Sequence, residues 1–144
     1  MDVRVDIEID RPAQEVFDYL ADGEKMPRWM KEFTSVQKVS DGPIGQGTTF
    51  RYHDKRGTDS TYELSEFQPP NRLAWHGAAV KMPLGTVTPD GYYDIHEHDG
   101  HTHVEMHMQP QLNGFAKVMG PMMSMGMRRS SKQYAQLMKA DLER

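Results

Sequence analysis

The chain has 144 residues, with 17 Lys and Arg against 21 Asp and Glu, and no cysteine. A net charge of −4 without a basic stripe excludes a nucleic-acid-binding protein of the usual kind, and the missing thiols exclude disulfides, thiolate nucleophiles and thiolate metal sites. The sequence opens on Met1-Asp2-Val3-Arg4-Val5-Asp6, with no apolar run of signal-peptide type, and no stretch approaches the roughly 18 apolar residues of a membrane span. A cytoplasmic domain large enough to bury its own core is therefore expected.

Val3, Val5, Ile7 and Ile9 alternate with Asp2, Arg4, Asp6, Glu8 and Asp10, which predicts a strand with one dry and one charged face. Pro12 then suits the first turn of a helix, and Ala13, Val16, Phe17 and Leu20 recur at the spacing of an amphipathic helix that Gly23 ends. Glu24 to Met30 predicts a second short helix, interrupted by Pro27 and carrying Trp29. From about Thr34 to Pro110 the chain is punctuated as a meander of six strands. The breaks fall at Asp41-Gly42-Pro43, Arg56-Gly57, Pro69-Pro70-Asn71, the Pro83 to Gly91 stretch and Asp99-Gly100. Beyond Asn113-Gly114, apolar residues from Phe115 to Leu142 recur at helical spacing, with Gly120-Pro121 bending or restarting the helix near its beginning.

Such an order suits a curved antiparallel sheet whose concave face is covered by one long helix. One helix is a poor lid for so wide a sheet, so a cavity is expected between them, and a cavity is the physical reason to expect a ligand.

Three stretches carry a family resemblance. They are Ile7 to Asp22 with Pro27-Arg28-Trp29, the turn Pro43 to Phe50, and Pro69 to Trp75. With these the whole chain resembles the START/polyketide-cyclase (SRPBCC) superfamily, in its cyclase/dehydrase-like branch. The resemblance implies an α+β helix-grip fold: a curved seven-stranded antiparallel sheet wrapped around a long C-terminal helix, with two short helices after the first strand. It implies that residues 1–144 form one START-like domain without a cofactor, in which Trp29 seals one end of the cavity. It further implies a hydrophobic ligand (polyketide-like, aromatic or lipid-like) held there, with cyclisation or dehydration as the catalytic reading. A non-catalytic carrier and a partner-binding accessory protein are the alternatives, and the chain is expected to be a monomer or a homodimer.

Turn lengths assign the faces, because side chains alternate along a strand. A turn at Pro69-Pro70 sets Leu64 opposite Trp75 and Glu66 opposite Leu73, so Tyr62, Leu64, Leu73 and Trp75 face inward with Glu66 at the end of the row. A two-residue turn at Asp99-Gly100 pairs His98 with His101, His96 with His103, Ile95 with Val104 and Tyr93 with Met106. Tyr93, Ile95, Val104, Met106 and Met108 then face inward. A three-residue loop at Arg56-Gly57-Thr58 turns Phe50 and Tyr52 inward, whereas a two-residue loop turns Arg51 and His53 inward. The cost of burying an unpaired arginine favours the aromatic pair.

The expected ligand contacts are therefore Trp29, Phe50, Tyr52, Tyr62, Leu64, Trp75, Tyr93, Ile95, Met106 and Met108. Met119, Met123 and Met127 of the helix join them, since flexible thioethers repack around varied apolar shapes. The candidate catalytic groups are Tyr62 and Tyr93 as donors to a carbonyl and Glu66 as a desolvated base. His96, His98, His101 and His103 share the outer face at cross-strand distances that would suit a divalent metal. Solvated strands also carry histidine, so the same face reads equally as a wet surface or a pH-responsive one.

Overall fold

The computed structural model describes residues 1–144. Strand β1 (Val3–Ile9) alternates strictly between buried and exposed positions, as its sequence dictates. Helix α1 (Ala13–Ala21) buries Ala13, Val16, Phe17 and Leu20. Its first turn leaves N–H groups without helical partners, and Glu97 meets one by accepting from Ala13 N–H at 2.6 Å. A 3-10 turn over Gly23–Arg28 follows, started by the Asp22 carboxylate accepting from Glu24 N–H at 3.1 Å.

The remaining strands are β2 (Phe33–Lys38), β3 (Thr49–Asp54), β4 (Asp59–Gln68), β5 (Arg72–Gly77), β6 (Val80–Met82), β7 (Gly85–Thr88), β8 (Asp90–His98), β9 (His101–Met108) and β10 (Gln111–Gly114). Helix α2 (Gly120–Leu142) closes the chain, with Pro121 in its first turn. Seven strands form one antiparallel sheet in the order β1-β9-β8-β5-β4-β3-β2, and α2 crosses its concave face. The seven-stranded α+β architecture expected from the sequence is the one observed.

One expectation was incomplete. The Pro83 to Gly91 stretch reads as punctuation, yet Gly85–Thr88 pairs with both β6 and β10 to make a separate three-stranded ribbon. The long helix also begins at Gly120 rather than running on from Phe115 to Lys117, which form a short 3-10 turn.

The Asp99-Gly100 hairpin has the expected register throughout, with His96 opposite His103 and Tyr93 opposite Met106. Both turn residues have positive φ, at 51° and 82°, as a type I′ turn demands. The third strand resolves in favour of the aromatic pair: Phe50 and Tyr52 are buried, while Arg51 lies outside and pairs with Asp59 at 2.8 Å.

At the Pro69-Pro70 hairpin Leu64 does lie opposite Trp75, but Glu66 faces Ala74 and Phe67 takes the place opposite Leu73. A β-bulge between Leu64 and Glu66 inserts one residue and flips the row beyond it to the other face. Glu66 is thereby turned outward, where Arg72 holds it at 2.8 Å.

Candidate functional site

The concave face of the sheet, the ribbon and the inward side of α2 enclose a cavity of about 540 Å³. Seventeen of its 25 lining residues are hydrophobic, so an apolar molecule would lose water contact over most of its surface there. The sheet contributes Tyr62, Leu64, Leu73, Trp75 and Tyr93; the ribbon contributes Met82 and Val87; α2 contributes Met123, Met127 and Tyr134.

Trp75 lies flat because β8 offers it a glycine. A Cβ at Gly91 would sit 2.3 Å from the indole ring and 2.4 Å from the His107 carbonyl oxygen, so only glycine fits beneath the ring. The indole then tilts against Tyr93, with ring centroids 4.8 Å apart. Tyr62 is set by a similar approach: a Cβ at Gly23 would lie 2.1 Å from its hydroxyl, and its ring stacks on Phe50 at 5.2 Å.

The phenols are the polar groups deepest in the wall. Burial raises Tyr62 and Tyr93 well above the ordinary phenol range, and for Tyr93 burial is the sole cause. Both stay protonated near neutral pH and can donate a hydrogen bond but not accept a proton. At the rim, Glu32 and Arg56 form an ion pair of 3.6 Å. Asp90 also lines the cavity, 3.9 Å from His76 on the neighbouring strand.

Nine of the expected contacts do line this space: Tyr52, Tyr62, Leu64, Trp75, Tyr93, Met106, Met108, Met123 and Met127. Four do not. Trp29 is 1% exposed and packs behind the wall, 6.4 Å from Tyr19. Phe50 and Ile95 are fully buried in the core cluster, and Phe50 supports Tyr62 from behind. Met119 caps the start of α2 and is only partly buried. Of the candidate catalytic groups, Tyr62 and Tyr93 reach the cavity, and the bulge removes Glu66 from it. Sequence reasoning missed Met30, Phe33, Met82, Asp90 and the Glu32–Arg56 pair. Met30, Glu32 and Arg56 sit on short turns, Met82 on the ribbon, and Phe33 and Asp90 at the first positions of β2 and β8, where periodicity is too brief to assign a face, although Tyr134 stood in the helical pattern.

The histidine face is a lattice of imidazole–carboxylate contacts between β1, β8 and β9. His101 lies 3.2 Å from Asp10, His96 lies 3.5 Å from Glu105, and His103 touches both Glu8 and Asp6. The Glu8 hydrogen bond, with Asp6 beside it, raises the His103 pKa above its ordinary value. Both ring nitrogens of His103 are thus taken by carboxylates, which leaves it none for a metal, while His96 and His101 each engage a carboxylate through one nitrogen. A tighter group on the same face, Asp94, Glu105 and His107, has ligand atoms within 4.8 Å of one another. Its carboxylates are held by Arg72 at 2.9 Å and Arg4 at 3.0 Å, two fixed cations that disfavour a third.

A second hollow of about 670 Å³ lies between Asp2, Gln109–Asn113 and the start of α2. Only two of its 11 lining residues are hydrophobic, so it offers an apolar ligand little gain on leaving water.

A family model described as polyketide cyclase/dehydrase and lipid transport matches residues 1–143. No curated protein matches the chain in sequence. Among solved structures, the chain is similar to the Zhui aromatase/cyclase from Streptomyces sp. R1128, with a TM-score of 0.76 at 17% identity, over 100% of this chain and 94% of that one. It is also similar to a START superfamily protein from Mycobacterium smegmatis, with a TM-score of 0.75 at 14% identity, over 99% of this chain and 97% of that one. At such identities the likeness is one of fold.

Proposed function

The chain belongs to the polyketide cyclase/dehydrase and lipid transport family, and on that premise we propose that it holds one apolar small molecule in the cavity as a carrier. A polyketide-like, aromatic or lipid-like compound fits the chemistry of the wall. The observation that carries the reading is the cavity itself, whose volume of about 540 Å³ lies within the range of small-molecule sites and whose lining is mostly hydrocarbon. Tyr62 and Tyr93 offer O–H donors to a ligand oxygen and fix its orientation. Proton shuttling at an enolising carbon needs an acceptor beside the ligand. Glu66 points outward, and Arg56 holds Glu32, so neither supplies one freely. We place the protein in the cytoplasm, as a monomer or homodimer; no helix is long and apolar enough to cross a membrane.

Native mass spectrometry of the purified protein, followed by solvent extraction, is expected to reveal a co-purified apolar compound. Titration with N-phenyl-1-naphthylamine should give saturable fluorescence. Met123→Trp and Met127→Trp, which fill the space from the helix side, should each weaken dye binding about tenfold or more. Dye affinity unchanged in both variants would remove the reading.

Asp90 also borders the cavity, but it precedes the inward Gly91 on β8 and pairs with His76. Its carboxylate therefore belongs to the outward face beside that imidazole, and it is no base facing Tyr93.

A further inference from the structure

The outer side of α2 and its approach carry a pattern that the cavity does not use. Phe115, Val118, Met122 and Met125 follow at spacings of three, four and three and are between 56% and 76% exposed. Leu84, at the tip of the β6–β7 hairpin, is 51% exposed. It lies beside them because β7 pairs with β10, placing Gly85 opposite Gly114. Large apolar side chains grouped in this way mark an interaction surface.

Cations accompany them. Lys81, Lys117, Arg128, Arg129 and Lys132 lie on the same two segments, and residues 78–89 and 109–140 contain no Asp or Glu in a chain of net charge −4. Each of the seven other arginines of the chain holds a carboxylate. Arg128 and Arg129 hold none; Arg128 reaches only the Arg4 carbonyl, at 3.5 Å. Along α2 the spacing puts Met122, Met125, Arg129 and Lys132 on the side opposite Met123, Met127 and Tyr134, so one side faces the cavity and the other faces water. The nearest acid in the adjoining hollow, Asp2, is turned toward His107 at 4.0 Å.

We propose that this end of the molecule docks on the surface of an anionic phospholipid bilayer. Phe115, Val118, Met122, Met125 and Leu84 enter the boundary of the acyl chains, and the five cations meet the headgroups. The proposal rests on the reading of the cavity as an apolar-ligand site. The elements that carry the patch outside, the ribbon and the first turns of α2, line the cavity inside through Met82, Val87, Met123 and Met127. Docking there gives an apolar molecule a path between bilayer and cavity that avoids water. A second copy of the chain suits the patch poorly, since a twofold interface sets Lys117, Arg128 and Arg129 against like charges.

Co-sedimentation with vesicles of phosphatidylcholine alone, and of phosphatidylcholine mixed with phosphatidylglycerol, tests the proposal. Binding is expected on the anionic vesicles, reduced about fivefold for each cation removed by Arg129→Gln or Lys132→Gln. It should be lost at about 0.5 M salt. The double variant Met122→Ser/Met125→Ser should fail to bind while keeping the wild-type circular dichroism, since both side chains are exposed.

Naphthylamine binding in vesicle-free solution is measured alongside. A chain that takes the dye but ignores anionic vesicles overturns the docking and leaves the cavity reading standing. A chain that binds vesicles but no dye supports the docking and sinks the cavity reading alone. Vesicle binding indifferent to all of these substitutions overturns the proposal. So does a concentration-dependent dimer that the double variant dissolves when no vesicle binding is seen.

Discussion

From Ser131 onward α2 buries Ser131, Ala135, Met138 and Leu142, whereas between Gly120 and Ser130 no residue of the same helix is buried. The C-terminal half is also clamped by polar contacts. Asp141 accepts from Tyr19 at 2.8 Å and from Arg28 at 2.9 Å. Lys139 donates to the Glu8 carbonyl at 2.6 Å, and Glu143 accepts from Asp10 N–H at 2.8 Å. The N-terminal half has a single, longer tie, from Arg128 to the Arg4 carbonyl at 3.5 Å, and it carries Gly120, Gly126, Ser124 and Ser130, all poorer helix formers than alanine. Stability and ligand space are thus divided along one element, and methionine serves both: Met138 is fully buried, while Met123 and Met127 border empty volume.

The sharpest way to break this comparison is to truncate a methionine on each side. Met138→Ala should cost about 2–5 kcal/mol in urea unfolding, as deletion of a fully packed side chain does. Met127→Ala, beside a space already present, should cost about 1 kcal/mol or less. Equal losses would mean that the halves are equally packed.

Gly91→Ala asks whether the cavity wall is as rigid as the core. With backbone and indole in the way, the variant should lose about 1–3 kcal/mol and shift the Trp75 fluorescence. At Gly126 a Cβ meets nothing within 4 Å. Gly126→Ala should therefore add about 0.5–1 kcal/mol and slow amide exchange in the first half of α2 toward that of the second.

The smallest effect belongs to the convex face. His103 has a raised folded pKa, so its contribution is whole below the unfolded value and fades as pH rises through the folded one. The advantage of wild type over His103→Gln should be greater near about pH 6 than near about pH 8, by about 1 kcal/mol or less.

Much of this was legible in the sequence because it is periodic or carries its own turn signal. Strand β1 alternates over its whole length, α1 repeats at helical spacing, and Asp99-Gly100 specifies a register that fixed Tyr93, Met106 and the histidine pairs together. Glu66 was misplaced because a bulge leaves no mark in composition; Ser65 looks like any strand residue, yet one inserted position reverses every face beyond it. The ribbon was missed because strands of three and four residues are too short to show a period. Along α2, methionines stand on both sides of the helix, so hydrophobicity alone could not separate Met123, at the cavity, from Met122, in water. Phe50 and Ile95 share the inward face with the lining residues but stand where α1 and its turn, with Trp29 at the turn's end, already fill the space, a distinction that only packing draws.

The ribbon strand β10 runs on through the 3-10 turn at Phe115–Lys117 into α2. Two sides of the cavity's surround are therefore a single covalent jaw, hinged on the well-anchored latter part of the helix. A guest that pushed the helix outward would drag the ribbon with it, so the aperture can widen only by moving both at once.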